Sequence, residues 1–110
     1  MMEKVLTIDG KQVKFVANGS TPIRYMAEFG KDYFEELTEI EKGNLSGMSF
    51  YRMVYLMAKT ANKDIPPMEE WLASFDKFPI FDVYEQLSPL IFANIKTNKP
   101  NKKKNRLPKR

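Results

Sequence analysis

Val5-Leu6-Thr7-Ile8, then Asp9-Gly10, then Gln12 to Ala17 is the first patterned stretch of the chain. Val13, Phe15 and Ala17 alternate with Gln12, Lys14 and Val16, the period of two expected of a half-buried strand. Asp-Gly supplies the positive φ angles of a two-residue type I′ turn, so the stretch predicts a β-hairpin with Leu6 opposite Val13. An isolated hairpin is marginal in water, so its apolar face must lie on another element.

The period then changes. Asn18-Gly19-Ser20 reads as a turn, Thr21 as an N-cap, and Pro22 suits a first helical position, where its missing N–H costs nothing. Ile23, Met26, Gly30, Tyr33, Leu37 and Ile40 follow at helical spacing and form one stripe. The pattern predicts one helix from Thr21 to about Lys42, stopped by Gly43 and about 30 Å long. Arg24, Glu28, Lys31, Asp32, Glu35, Glu36 and Glu39 occupy the rest, with Arg24–Glu28 and Lys31–Glu35 as i,i+4 pairs. The acids read as a solvated face. Gly30 on the apolar stripe costs about 1 kcal/mol relative to alanine in a helix interior. The expected reason is close approach by the hairpin or a core aromatic. The alternative is a kink that exposes Phe29 and Tyr33 to a partner.

A second helix is predicted from about Gly47 to Ala61, with Ser46 as its cap. Phe50, Met53, Val54, Met57 and Ala61 form its stripe, and Tyr51, Tyr55 and Leu56 add apolar surface on other sides. A helix apolar nearly all round is central in a core or part of a binding face, and core is the expectation here. Pro66-Pro67 opens a short helix carrying Met68, Trp71, Leu72 and Phe75, with Trp71 and Phe75 assigned to packing. Asp76 to Pro79 interrupts. Ile80, Val83, Tyr84 and Leu87 make a further helical stripe, which Pro89 must kink or restart before it continues to about Lys96. Thr97 to Arg110 is polar and charged and is expected to be disordered. The fold expectation is therefore α+β, mainly α. An N-terminal β-hairpin packs on a bundle of about four helices in one domain, residues 1–96, followed by a basic tail, 97–110.

Composition narrows the chemistry. The chain has 110 residues, enough for one domain, and has neither cysteine nor histidine. That removes disulfides, thiolate catalysis, the commonest general base and the commonest transition-metal ligand. Glu35-Glu36 and Glu69-Glu70 are adjacent pairs, and neighbours on a helix point about 100° apart, so they do not converge on a substrate. No loop has calcium-ligand spacing and no glycine-rich phosphate cradle is present. No catalytic residue, cofactor or metal is expected.

The net charge of +4 conceals an asymmetry. Lys96 to Arg110 holds eight Lys/Arg and no acid, which leaves ten basic and fourteen acidic residues in 1–95. A basic segment without interleaved aromatics binds polyanions without base stacking, so nucleic acid is not the expected partner. Met1 to Lys14 alternates and carries charge, unlike a signal peptide. Leu90-Ile91-Phe92-Ala93 is far short of the ~20 residues that span a bilayer. A soluble cytoplasmic protein is expected.

Two blocks carry a resemblance. "VKFVANGSTPIRYMAEFGKDYFEEL" has Phe15, Thr21, Pro22, Tyr25, Phe29, Gly30 and Asp32 in matching places. "MAKTANKDIPPMEEWLASFDKFPIFDV" has Ala58, Lys59, Pro67, Glu70, Trp71, Leu72, Phe75 and Asp76. In their order and spacing they resemble the tail assembly chaperones of long-tailed phages and prophages of Gram-positive bacteria. The resemblance covers most of residues 13–96 and neither block is a catalytic fingerprint.

It implies a non-enzymatic role in the host cytoplasm. Such chaperones bind and solubilise the tape-measure protein, help recruit the tail-tube protein, and are absent from the finished virion. It also implies self-association into rings or spiral coats and, in many such phages, a longer frameshifted form. The aromatics expected to contact the client are Phe29, Tyr33 and Phe34 on the first helix and Tyr51 and Tyr55 on the second. Two other readings stand beside it: a nucleic-acid-associated phage protein using the basic tail, and a structural tail completion protein.

Overall fold

The computed structural model describes residues 2–44 and 46–95, so the tail expected over 97–110 lies outside the described residues. β1 (Met2–Ile8) and β2 (Lys11–Ala17) form an antiparallel hairpin. The turn residues Asp9 and Gly10 have φ of 53° and 76°, and Leu6 pairs with Val13, as the Asp-Gly signal predicts. Five helices follow among the described residues: α1 (Thr21–Phe29), α2 (Tyr33–Glu41), α3 (Gly47–Ala61), α4 (Met68–Ala73) and α5 (Ile80–Ile91). The architecture is α+β, mainly α.

α3 explains its own composition. It packs on β2, α5 and α1 together, so Phe50, Met53, Val54, Tyr55, Leu56, Met57 and Ala58 are all buried. The hairpin lays Leu6, Ile8, Phe15 and Ala17 into the same core. Val16, on the opposite face, is buried too. Trp71 and Phe75 pack there as expected, their ring centroids 5.3 Å apart.

The long helix expected from Thr21 to Lys42 is two helices. Gly30 has φ of 69°, in the left-handed region, and its N–H donates to the Met26 carbonyl at 2.8 Å. That is a C-cap, which glycine adopts without steric cost. Asp32 then caps α2: its carboxylate accepts from the Phe34 and Glu35 N–H groups at 2.9 and 3.1 Å. Nothing lies within 4 Å of the place a Gly30 side chain would occupy, so close packing is not the reason for the glycine. The break also regroups the predicted stripe. Tyr33 and Leu37 stay inside, whereas α1 turns and buries Thr21 and Tyr25 in place of Ile23 and Met26.

Two smaller differences have local causes. Ser46 has no side-chain cap bond at the start of α3. Pro89 neither breaks nor restarts α5, which passes through it and ends at Ile91 rather than Lys96. Proline costs its own N–H bond to the preceding turn, and the chain closes past it, with the Phe92 N–H reaching the Ser88 carbonyl at 3.0 Å. No helix among the described residues is long and apolar enough to cross a membrane.

The Gly30 conformation gives a sign test. In a continuous helix Gly30→Ala would stabilise by about 1 kcal/mol. At a left-handed cap it is expected to destabilise by about 1–2 kcal/mol. Urea unfolding of the two proteins decides between them.

Candidate functional site

The break between α1 and α2 creates a groove. Pro22, Ile23 and Met26 of α1 form one wall, Asp32 and Phe34 form the other, and Tyr33 forms the floor, around a volume of about 250 Å³. Ile23 is 72% exposed, Met26 47% and Phe34 46%. Large apolar side chains left in water together are unusual on a small domain, and such patches mark interaction surfaces.

The floor is rigid. Tyr33 is buried, and its hydroxyl donates to the Ile91 carbonyl at 2.6 Å. Its ring meets Tyr25 edge-on at 5.2 Å and Phe34 at 6.1 Å, and Tyr25 in turn meets Phe29 at 5.0 Å. Burial, with lesser contributions from Tyr84 and Tyr25, pushes the Tyr33 hydroxyl well above the ordinary tyrosine range.

Beneath the groove lies a polar network that spans three helices. Glu36 Oε1 of α2 accepts from the Tyr25 hydroxyl of α1 and from Arg52 Nη2 of α3 at 3.0 Å. Ser49 Oγ donates to the same oxygen at 3.1 Å, and Arg52 Nε donates to the Tyr25 oxygen at 3.2 Å. The Arg52 and Glu36 side chains are only 12% and 18% exposed. Glu36 therefore leaves the acidic face that the helical pattern assigned it.

Desolvation raises the Glu36 pKa, but donation from Tyr25 and Arg52, the Arg52 charge and Ser49 outweigh it. The carboxyl sits below its ordinary value. Glu28 also departs from the expected pairing: it meets Lys59 of α3 at 3.5 Å, while Arg24 donates to Thr60 at 3.1 Å.

A second furrow shares Asp32 and Phe34 with the groove and continues along Glu35, Thr38, Glu39 and Lys42. The groove is thus apolar inside and acidic along one margin. No cluster of three or more potential metal-ligating side chains occurs among the described residues.

The structure separates the five aromatics expected to contact a partner. Phe34 is exposed at the groove, and Phe29 and Tyr51 are half-buried. Tyr33 and Tyr55 lie in the core, 1% and 2% exposed. Tyr55 donates to the Pro66 carbonyl at 2.8 Å and packs on Trp71 at 5.7 Å, because α3 is enclosed on all sides. Tyr51 lies beside Phe78, centroids 6.4 Å apart. Sequence reasoning missed Ile23 and Met26, which it had placed in the core. Gly30-Lys31-Asp32 carried the signal: a C-cap glycine followed at once by an N-cap aspartate marks a helix stop and restart.

No protein-family model, curated protein or solved structure matches this chain.

The Glu36 network makes stability pH-dependent, with a definite sign. Glu36 is more acidic folded than unfolded, so its contribution is present above the unfolded carboxyl value, about 4.3, and is lost as pH falls through the lower folded value. Glu36→Gln is expected to cost about 1.5–3 kcal/mol at neutral pH. It should also flatten the decline in stability across that acidic window. Urea midpoints for both proteins over a pH series check this.

Proposed function

We propose that this chain is a tail assembly chaperone of a long-tailed phage or prophage. It binds apolar segments of the tape-measure protein in the groove between α1 and α2, keeps that client soluble, and yields it to tail-tube subunits. It acts in the host cytoplasm, associates with its own copies along the client, and leaves before the virion is finished. The role is one of covering surface, not of chemistry.

One observation carries this reading beyond the two resembling blocks: Ile23, Met26 and Phe34 stand exposed around a groove with a packed, hydrogen-bonded floor. An amphipathic helix docks in such a groove through apolar side chains at i, i+3, i+4 and i+7. A preformed groove spends little free energy on ordering itself when the client arrives. The methionine in the wall adapts to differing side chains, which suits a client met at many points along its length.

The test is co-expression with the tape-measure protein of the same phage. The native chain is expected to hold that client in the soluble fraction. Ile23→Asp with Phe34→Asp is expected to release it to the pellet, with the variant's own stability changed by only about 0.5 kcal/mol per exposed site. A client equally soluble with and without the native chain would overturn the reading.

A further inference from the structure

We propose that segment 96–110 of this same chain occupies the groove between α1 and α2. Leu107 lies on the apolar lining, and the neighbouring cations lie over the acidic margin formed by Asp32, Glu35 and Glu39. The groove is thereby self-covered until something binds more tightly.

Three observations converge on this occupant. The first is where the described chain ends. The Asn94 side-chain amide donates to the Asn18 carbonyl at 2.9 Å, and the Asn18 N–H donates to Thr21 Oγ1 at the head of α1. The Ile91 carbonyl accepts the hydroxyl of Tyr33, the residue that floors the groove. Asn94, one residue before the described chain ends, therefore lies at the head of α1, next to the wall that Pro22 and Ile23 build. The twelve residues from Lys96 to Leu107 reach up to about 40 Å, whereas α2 is only about 13 Å long.

Charge is the second. The segment has eight Lys/Arg and no acid, and it follows a body with fourteen acids to ten bases. The furrow that continues the groove holds three acids, Asp32, Glu35 and Glu39, against one lysine, Lys42. The third is the segment's apolar content. Leu107 is its one large apolar side chain, bracketed by Arg106 and by Pro108-Lys109, so it can enter an apolar slot while its neighbours stay over carboxylates.

Covalent attachment strengthens a contact that would be weak between separate molecules. A tethered ligand sees an effective concentration in the millimolar range. Lengthening the intervening loop adds little to the closure cost. Because the attraction is between exposed charges, it must weaken as salt rises. This inference concerns the same groove as the chaperone reading but does not rest on a client.

The absence of cysteine makes the test clean. Asn105→Cys gives the full-length chain a single thiol for a nitroxide label. At low ionic strength, amide signals of residues 32–42 and the methyl signals of Ile23 and Met26 are expected to be lost through paramagnetic broadening. They are expected to return at about 1 M salt, where the screening length is ~3 Å. They should also return in a labelled chain that carries Lys102→Gln, Lys103→Gln and Lys104→Gln. Broadening that is absent at low salt, or spread evenly over the hairpin and helices, would overturn the proposal. So would equal broadening between labelled and isotope-enriched molecules mixed together, which would put a second copy in the groove. The measurement needs no client, so its failure leaves the chaperone reading standing.

Discussion

One carboxylate oxygen holds the helical half of this protein in its angular arrangement. Glu36 Oε1 accepts from Tyr25, Ser49 and Arg52, and thereby joins α1, α2 and α3 at a single point. A mostly buried ion pair is stabilising only when its remaining hydrogen-bonding capacity is met. Here Arg52 also donates to the Tyr25 oxygen and to Ser49 Oγ, so the network is closed on itself. Its geometry demands that α1 and α2 diverge. The left-handed Gly30 cap provides that divergence, and the Asp32 cap restarts the helix in the new direction.

The other side of α3 is held by different means. Tyr55, Trp71, Phe75 and Phe78 form a connected set of rings with centroid separations between 5.2 and 5.7 Å. The hairpin turn is fastened to the end of this set. Lys11 Nζ sits 5.0 Å from the Phe75 ring centre and donates to the Ser74 carbonyl, and the Asp9 carboxylate accepts the Asp76 N–H at 2.9 Å. These contacts supply the surface that a solitary hairpin lacks. Tyr84 is the exception among the buried side-chain polar groups of the described residues. Its hydroxyl is buried without a hydrogen-bond partner, and burial together with the Glu41 charge pushes it up to about 12.

Rigidity below and exposure above define the groove. Tyr33 cannot turn outward without losing its bond to Ile91 and its contacts with Tyr25, so the floor stays in place while Ile23, Met26 and Phe34 remain available. Those exposed side chains are a cost in the free chain, and a surface worth covering in a complex. Both proposals, client capture and self-covering by the basic segment, start from that imbalance and assign the same slot.

Much of the fold was legible in the sequence because its signals are local. Alternation and Asp-Gly specified the hairpin and its register. The apolar composition of residues 50–58, interrupted only by Arg52, foretold a central α3, and the lone tryptophan marked the second aromatic cluster. The site was less legible. Helical spacing assigned Ile23, Met26, Tyr33 and Leu37 to one stripe, and only the turn at Gly30 separates the first pair from the second. Glu36 resembled its solvated neighbours until Arg52, sixteen residues away, was brought alongside it. Periodicity reports which residues share a face of one helix. Which face is covered depends on where the other helices lie, and long-range contacts such as Tyr25–Arg52 and Tyr33–Ile91 decide that.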